Sequence, residues 1–389
     1  MSIFHLSFDY PGFLHKDKTK AVKNLVDAQE EFENVVFSMK RAASPFADYK
    51  AVRTDYGFAM RVFGLPFGIG LTTCMRLASR RVLKAIGTGA KEFDLIHAHK
   101  LTFEGIIAFV LAERLGIPFI VTIRGDSDLK VIKMKRWSRP LYAKILRRAS
   151  KVLFLAPWTR DQLENYFPDI PFQEKSVLIP NIIEPGKQAA ASATNKTNKF
   201  VSVFKLDSYK RKNIKRVIEA MDALHSTIPS VGLDIIGPGT EKSKKAIQKY
   251  IDACNHPSLF NLLGPVPNEE LVNVYPNYLG LVLPSSPETF GLVFIEALGS
   301  GLPIIYAKNA GVDGFFEEDG KVGIKVDSRS VDEIADALRE IYINNEAYAS
   351  SVQDYKNKGR VGIFSRRHVA EEYTAVLRPL VTRMQGSLE

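Results

Sequence analysis

The chain has 389 residues, 46% apolar and 25% charged, a composition that suits folded domains and excludes a disordered chain or a coiled coil. No apolar run reaches the ~18 residues of a membrane span, and two cysteines cannot form a disulfide framework, so we expect a reducing cytoplasm. The net charge of +10 resides in residues 1–183, which hold 28 basic residues (Lys and Arg) against 18 acidic ones (Asp and Glu). Residues 184–389 hold 25 basic and 25 acidic residues. This uneven distribution predicts an anionic partner for the first half.

Short apolar runs, which predict strands, alternate along the chain with segments of helical periodicity. This alternation predicts parallel sheets covered by helices on both faces. The predicted strands form one series at Ile3–Phe8, Val35–Met39, Leu95–His99, Phe119–Ile123, Val152–Leu155 and Val177–Ile179, and a second at Phe200–Phe204, Val231–Ile236, Leu279–Leu283, Pro303–Tyr306 and Gly323–Val326. We therefore predict an α/β chain of two Rossmann-like, doubly wound domains, with ligands at the carboxyl ends of the strands.

The boundary between the domains is predicted after residue 183, because segment 187–199 is small, polar and without periodicity. Residues 1–183 then form the first domain and residues 184–364 the second. A last helix, over about residues 365–389, has no strand after it, and we expect it to pack back on the first domain.

The segment Leu283–Ala297 combines the end of a strand, a Ser/Pro turn and the start of a helix near Gly291. Backbone N–H groups at a helix start can hold phosphate oxygens. Glu288 precedes the helix, where a carboxylate can bind sugar hydroxyls, and Glu296 lies within it, where it can reach a ribose. The alternative is that Glu288 is a capping acid and Glu296 a solvated helix residue. The surrounding Pro-Ser, Phe-Gly and Glu-Ala pairs favour the ligand site.

With Glu288 and Glu296 in E-x7-E spacing, the chain resembles the retaining nucleotide-sugar glycosyltransferases of GT-B fold, described as glycosyl transferases group 1. Further segments resemble the same family in the same order: Phe93–His99, Gly116–Thr122, Ile179–Asn181, Ile235–Gly239 and Leu263–Val266. The resemblance implies a donor site in the second domain, an acceptor site in the first, and the reaction in a cleft between them.

The resemblance also implies roles for residues of the second domain. Glu288 would contact the donor sugar and Glu296 the ribose. Two cations would hold the diphosphate: Lys205, where Arg is usual, and Lys212, with Lys210 as its rival. The remaining donor-side positions are the backbone of Phe290, Gly291, Leu292 and Val293 and the turn at Gly264 and Pro265.

Two cations on a diphosphate stabilise the leaving group without a metal ion. We therefore expect no metal site and no cofactor, with a nucleoside-diphosphate sugar as the co-substrate. The alternative for the segment 205–213 is a solvated basic loop, since runs of charge are commonly solvated.

Acceptor-side candidates lie in the first domain. Arg124 stands where the family has His; it cannot act as a base but can bind an anionic acceptor or stabilise the leaving phosphate. The alternative is an ion pair of Arg124 with Asp126 or Asp128. Lys18 and Thr19 occupy a turn that is often Gly-Gly in the family. His97 and Asp126 complete the acceptor-side set.

Two possible metal motifs are weak. Asp126-Ser127-Asp128 has the D-x-D form of metal-dependent GT-A transferases, but the second series of strands and helices argues against that fold. His97 and His99 are expected to face opposite sides of their strand, which makes a metal pair improbable.

The segment Leu129–Lys151 holds nine basic residues and no acid. Its interleaved apolar residues are Trp137, Leu141, Tyr142, Ile145 and Leu146. A basic amphipathic helix suits an anionic interface, so residues 130–151 predict peripheral attachment to the inner face of the plasma membrane, with Trp137 and Tyr142 as anchors. The alternative is a core helix with a cationic solvent face.

Together these features predict a retaining glycosyltransferase that moves a sugar from a UDP-sugar to a lipid-linked or polysaccharide acceptor in bacterial cell-surface glycan synthesis. One rival is a GT-B-fold sugar-nucleotide epimerase, which would want more acid and base groups in the cleft. Another is a non-catalytic nucleic-acid-binding protein, which would want aromatic stacking platforms or a groove-reading helix. Neither feature is evident, and no nucleic-acid partner is expected.

Overall fold

The computed structural model describes residues 1–15, 18–87, 92–183, 197–316 and 321–382. The chain divides into two compact units. The first is Met1–Ile182 together with the chain from Arg366 onward, and the second is Ile183–Ser365. Each unit is built on a sheet of mainly parallel strands with connecting helices, which confirms the prediction of two Rossmann-like, doubly wound α/β domains. The linker segment of residues 187–196 lies outside the described residues.

The first sheet places its strands in the order β3-β4-β2-β1-β5-β6-β7-β8. All neighbours are parallel except β3 and β4. In this order, successive strands run toward one edge of the sheet from β1 and toward the other edge from β5. A doubly wound sheet opens its ligand crevice at such a reversal, here between β1 and β5. The strands are β1 Ser2–Ser7, β2 Glu33–Ala42, β3 Val52–Thr54, β4 Gly57–Phe63, β5 Leu95–Ala98, β6 Phe119–Ile123, β7 Lys151–Phe154 and β8 Ser176–Leu178.

The second sheet is parallel throughout, in the order β11-β10-β9-β12-β13-β14. Its order reverses between β9 and β12, so the loops that follow these two strands border the crevice of the second unit. The strands are β9 Lys199–Val203, β10 Gly232–Ile236, β11 Phe260–Gly264, β12 Leu281–Val282, β13 Ile304–Ala307 and β14 Gly323–Val326.

Most of the helices lie between successive strands of a sheet, as parallel connections require. Those of the first unit are α1 Ala21–Ala28, α2 Leu71–Ile86, α3 Glu104–Leu115, α4 Asp126–Met134, α5 Arg139–Arg148, α6 Pro157–Tyr166 and α7 Phe172–Lys175. Those of the second unit are α8 Ile214–Leu224, α9 Glu241–Asp252, α10 Asn268–Val274, α11 Leu292–Gly299, α12 Val331–Ile343 and α13 Asn345–Asn357, and α14 Arg366–Thr382 follows them. No helix in the described part of the chain is both long and apolar enough to cross a membrane.

The last helix, α14, belongs to the core of the first unit. Its buried residues are Val369, Tyr373, Leu377 and Val381, and they share one apolar cluster with residues of β1, β5, β6 and β7. At the surface, the Arg378 guanidinium approaches the Glu31 carboxylate to 2.6 Å. The first unit is thus assembled from both ends of the sequence.

Three strands were not predicted, namely β3, β4 and β11. Continuous apolar runs, on which strands are predicted, are typical of strands buried on both faces. β3 and β11 are edge strands and β4 lies next to one. These strands are only partly buried, so their sequences lack a continuous apolar run.

Candidate active site

Two loops meet where the second sheet reverses. Residues 204–213 follow β9, and residues 283–291 follow β12. The Ser286 N–H donates to the Arg211 carbonyl at 3.1 Å, and the Asn213 side-chain amide donates to the Pro284 carbonyl at 3.3 Å. The predicted donor-side residues on these loops are therefore brought to the crevice edge of one sheet.

Glu288 and Lys212 form an ion pair at this edge. Their side chains are only 10% and 12% exposed. The Arg211 guanidinium lies 3.8 Å from the same carboxylate and is more open to solvent. The Glu288 carbonyl accepts from the Gly311 N–H at 2.9 Å, which fixes the backbone of this residue. The carboxylate is therefore held in place with an ammonium group against it.

The turn after Glu288 leads directly into α11. Gly291 has φ of +77°, and a Cβ atom there would lie 2.6 Å from the Phe294 ring, so only glycine fits. Phe290 is buried and packs against Phe315 and Phe364, with ring centroids 5.8 Å away in both cases. The first N–H groups of any helix have no acceptor within it, so those of Leu292 and Val293 suit a phosphate or sugar oxygen.

Glu296 lies inside α11 and is half-buried. Burial raises the pKa of its carboxyl above the usual range. Burial, and then the charge of Glu296, raise the pKa of the nearby Tyr275 hydroxyl. The Tyr275 hydroxyl is buried and has no hydrogen-bond partner among the described residues. Glu296 is therefore partly shielded from solvent, and Tyr275 is a neighbour that no sequence signal indicated.

The three candidate cations of the second unit occupy different surroundings. Lys205 is exposed and precedes a short 3₁₀ turn, Leu206–Ser208. Within this turn, Asp207 accepts hydrogen bonds from the Thr240 N–H and hydroxyl at 3.1 and 2.7 Å. The Lys210 ammonium lies 5.9 Å from the centroid of the Tyr209 ring. Only Lys212 of the two rival lysines contacts Glu288 among the described residues.

Gly264 and Pro265 lie at the end of the edge strand β11. The Gly264 carbonyl accepts from the Gly237 N–H at 2.8 Å, which joins the turns after β10 and β11. A Cβ atom at Gly237 would lie 1.8 Å from the Phe204 carbonyl oxygen, so this turn and the loop after β9 pack backbone against backbone. Pro265 is exposed beside them.

A second group of charges lies where the first sheet reverses. Asp9 follows β1 and Lys100 follows β5. The Asp9 carboxylate lies 2.5 Å from the Lys100 ammonium and 2.7 Å from that of Lys18. Burial alone would raise the pKa of Asp9, but the two lysines hold it well below its usual range. Lys18 and its neighbour Thr19 are exposed. Asp9 and Lys100 were not predicted. Each follows a predicted strand, but only the pairing of β1 with β5 brings them together.

Glu104 adds a neutral acid to this group. Its side chain is fully buried, and one carboxyl oxygen accepts from the Phe8 N–H at 2.8 Å. Its other oxygen has no hydrogen-bond partner in the described part of the chain. Burial raises the pKa of Glu104 to about 8, against the opposing effect of Lys100. Glu104 is therefore mainly protonated at neutral pH.

Arg124 follows β6 and is almost fully buried. Its guanidinium donates to the Asn181 side-chain oxygen at 3.4 Å. Burial lowers its pKa, and the nearby carboxyl groups, led by that of Asp9, oppose that effect. The Asp128 carboxylate accepts instead from the backbone N–H of Arg124 at 3.1 Å.

The D-x-D segment opens α4. Asp126 is the first residue of this helix and is half-buried. Asp128 is fully buried and accepts from the Thr102 N–H and hydroxyl at 3.0 and 2.7 Å. The Asp128 carboxylate thus ties two loops of the first unit together, a structural task that accounts for its presence.

The position of His97 differs from the prediction. Its ring is fully buried and uses both nitrogens: Nδ1 lies 2.6 Å from the Tyr373 hydroxyl and Nε2 lies 2.7 Å from the Thr122 hydroxyl. Such a side chain has no surface to offer an acceptor. His97 instead joins α14 to the sheet of the first unit, which argues against the acceptor-side role predicted for it.

The prediction that His97 and His99 face opposite sides of their strand is wrong. Their ring centroids are 4.0 Å apart, because alternation places residues i and i+2 on the same face. His5 joins them, and the three side chains offer ligand atoms within 4.8 Å of one another. Hydrogen bonds nevertheless occupy both ring nitrogens of His5 and of His97. Burial lowers the pKa of all three rings, that of His5 to about 4, so they are neutral.

The basic segment 130–151 divides into two parts. In α5, the side chains of Tyr142, Ile145 and Leu146 are fully buried, so this helix is a core helix. The prediction that Tyr142 is a surface anchor is therefore wrong. Several cations of the segment are engaged, since Arg148 pairs with Glu113 and Lys151 donates to the Glu174 carbonyl. Before α5, the exposed residues are Lys130, Lys133, Met134, Arg136 and Trp137.

Comparison with known proteins identifies the family. Residues 21–181 match the glycosyl transferase 4-like domain, and residues 187–360 match glycosyl transferases group 1. Among curated relatives, the alpha-monoglucosyldiacylglycerol synthase of Acholeplasma laidlawii is 35% identical over 254 residues, or 60% of this chain and 63% of that protein.

Two further proteins illustrate the range of the similarity. The UDP-N-acetylglucosamine–peptide N-acetylglucosaminyltransferase GtfA subunit of Streptococcus pneumoniae serotype 4 is 32% identical over 133 residues, or 34% of this chain and 25% of that one. The solved sucrose-phosphate synthase from Thermosynechococcus elongatus has a TM-score of 0.71 at 18% identity and covers 98% of this chain and 99% of that one. The structural likeness shows the GT-B fold, and the two family matches in tandem show that the chain belongs to the glycosyltransferases of group 1.

Proposed function

We propose that this protein is a retaining glycosyltransferase that moves a sugar from a UDP-sugar to a lipid-linked or polysaccharide acceptor in bacterial cell-surface glycan synthesis. The observation that carries the proposal is the ion pair of Lys212 and Glu288 at the reversal of the second sheet. A carboxylate suited to sugar hydroxyls and a cation suited to phosphate stand side by side at the crevice of a doubly wound domain.

In the proposed donor complex, Glu288 binds the transferred sugar and Glu296 the ribose. Lys205 and Lys212 bind the diphosphate, and the backbone from Phe290 to Val293 completes the contacts at the start of α11. Lys210 is the alternative to Lys212. The Lys210 ammonium lies over the Tyr209 ring, whereas that of Lys212 contacts Glu288, which favours Lys212. The turn at Gly264 and Pro265 borders the nucleotide.

The proposed reaction is a front-face displacement without a covalent nucleophile. The bond between the sugar C1 and the diphosphate oxygen breaks, and the acceptor oxygen bonds to C1 on the same face. The acceptor proton passes to the departing diphosphate. Lys205 and Lys212 stabilise the negative charge that develops on this leaving group, which is why we propose no metal requirement.

The acceptor would lie over the first unit, beside Arg124, Lys18, Thr19 and Asp126. The pair of Asp9 and Lys100 adds a carboxylate and an ammonium at the reversal of that sheet, where doubly wound folds bind ligands. These groups suit an acceptor with hydroxyl or phosphate groups.

The names of relatives support the finer parts of the proposal. The Acholeplasma relative is named for a monoglucosyldiacylglycerol, which supports a lipid acceptor. The Streptococcus relative is named for UDP-N-acetylglucosamine, which supports a UDP donor. We accordingly propose a cytoplasmic protein that acts peripherally at the inner face of the plasma membrane.

A ligand screen followed by product analysis tests the function. UDP should raise the melting temperature more than GDP or ADP, because a ligand that binds only the folded state stabilises it. With an α-linked UDP-sugar and membrane lipid extract, NMR should show an α-linked product. A β-linked product would overturn the retaining mechanism. Conversion of the nucleotide sugar to its epimer without an acceptor would favour the epimerase instead.

A further inference from the structure

Large apolar side chains are exposed at two places in the first unit that are distant in sequence. Phe67 and Ile69, in the loop before α2, are 88% and 61% exposed. Met134, the last residue of α4, is 60% exposed, and Trp137 just beyond it is 75% exposed. We call these four residues the apolar tip. Exposed side chains of this size, grouped together, mark interaction surfaces.

Lys135 holds the two parts of the apolar tip together. Its ammonium donates to the Gly68 carbonyl at 2.9 Å and lies 5.4 Å from the centroid of the Trp137 ring. A Cβ atom at Gly68 would lie 2.9 Å from the Lys135 Cε atom, so the loop and the helix end are in close contact. Phe67 itself has φ of +55°, a conformation that a bulky residue adopts at a cost. The loop thus presents the Phe67 ring outward rather than burying it.

The surroundings of the apolar tip are cationic. Lys130, Lys133 and Arg136 are exposed beside Met134 and Trp137, and Arg76 is exposed on α2 after Ile69. The sequence contains no Asp or Glu from residue 56 to residue 91, or from residue 129 to residue 151. Apolar side chains among cations are the chemistry that an anionic bilayer surface recognises.

We propose that the apolar tip inserts into an anionic bilayer, with Lys133 and Arg136 on the lipid phosphates. This inference deepens the proposed function and rests on it for the membrane location of the acceptor. The proposed membrane contact lies at the loop before α2 and the end of α4, and not on α5, whose apolar residues are buried. A second copy of the chain is a poorer occupant, because a two-fold contact would bring the same cations together.

Trp137 makes insertion directly measurable. The chain has two tryptophans, and the other, Trp158, is buried. In the full-length Trp158→Phe variant, vesicles of phosphatidylcholine with phosphatidylglycerol should shift the emission of Trp137 to the blue. Lipids brominated on their acyl chains should quench that emission. Binding without a shift or quenching would overturn insertion and leave only surface attachment.

Matched variants separate insertion from charge attraction. Phe67→Ser with Ile69→Ser should weaken vesicle binding by roughly tenfold or more and remove the part that persists in high salt, because apolar burial is not screened. Lys133→Glu with Arg136→Glu should remove the salt-sensitive part. Ile343→Ser, at an exposed apolar residue of the second unit, should bind vesicles as the parent does.

Each variant is also tested for its UDP-induced shift in melting temperature. This shift shows whether the variant is folded and whether its second unit binds UDP. An unchanged UDP shift with lost vesicle binding supports the inference. Equal vesicle binding by the parent and the Phe67/Ile69 variant would overturn it, as would a dimer in sedimentation that this variant abolishes. Failure of UDP to bind the parent would count against the proposed function and not against insertion.

Discussion

Lys212 sets its ammonium against the carboxylate of Glu288, 76 residues further along the chain, and both side chains are largely shielded from water. Each charge therefore neutralises the other when no donor is bound. If both groups bind the donor, as we propose, the sugar and the diphosphate replace this internal partnership. Removing Glu288 leaves Lys212 without its ion-pair partner in a poorly solvated place, whereas removing Lys212 leaves Glu288 only the more distant Arg211. A single variant therefore disturbs the remaining member of the pair, and a double variant does not.

The first prediction separates the roles of the two glutamates. Glu288→Gln should lower kcat by about a hundredfold, because contacts to the transferred sugar matter most in the transition state. Glu296→Gln should raise KM for the donor by roughly tenfold with a smaller effect on kcat, as expected for loss of a charged hydrogen bond to a ribose. Steady-state kinetics with varied donor measure both. Parent-like constants in both variants would remove these residues from the site.

The second prediction concerns the diphosphate. Lys212→Gln should weaken UDP binding by roughly tenfold or more, since a charge-assisted hydrogen bond is lost. The double variant with Glu288→Gln also removes the carboxylate that Lys212 had neutralised, and it should bind UDP equally weakly if Lys212 contacts the diphosphate. Lys205→Gln should also weaken binding. The matched control is Lys210→Gln, expected to change affinity by less than about twofold. A larger effect at Lys210 than at Lys212 would reverse the assignment.

Much of this architecture was predictable from sequence because buried parallel strands leave continuous apolar runs. The E-x7-E segment was also predictable, since its strand, turn and helix follow one another in the chain. The group of Asp9, Lys100 and Glu104 was not, because it arises only when β1 and β5 become neighbours. The burial of His97 was missed for the same reason: its partner Tyr373 lies 276 residues away.

The third prediction tests the contact between His97 and Tyr373. Tyr373→Phe leaves a buried ring nitrogen without its partner, so the free energy of unfolding should fall by about 1–3 kcal/mol. Tyr275→Phe is the matched control, since that buried hydroxyl has no partner among the described residues, and its loss should be nearly neutral. Chemical denaturation measures both variants. Equal stability in the two would show that the contact contributes nothing.

The fourth prediction follows from the pKa of Glu104, which burial raises to about 8. The unfolded chain releases this proton above about pH 4.5, whereas the folded protein keeps it, so stability from this group is lost as pH rises toward 8. The slope is at most about 1.4 kcal/mol per pH unit. Glu104→Gln should flatten the decline in unfolding free energy between pH 5 and pH 8. Glu113→Gln, on the exposed side of the same helix, should leave the decline as it is.

The fifth prediction is that transfer does not need a divalent metal ion. If Lys205 and Lys212 neutralise the diphosphate, an excess of chelator should leave the rate within about twofold of its value before treatment. Asp126→Asn should likewise retain activity in the presence or absence of Mn²⁺. Activity that chelator abolishes and Mn²⁺ restores, with loss of this response in Asp126→Asn, would instead favour a metal at the D-x-D segment.

The return of α14 to the first unit has a consequence for biosynthesis. The core of that unit needs Val369, Tyr373 and Leu377, which a ribosome makes after all the strands they cover. The second unit is one continuous stretch of chain, from Ile183 to Ser365. The second unit therefore needs no segment made outside its own stretch of chain, whereas the first unit keeps part of its apolar core uncovered until α14 has left the ribosome. Nascent chains stalled before residue 366 should accordingly bind chaperones through the exposed apolar core of the first unit.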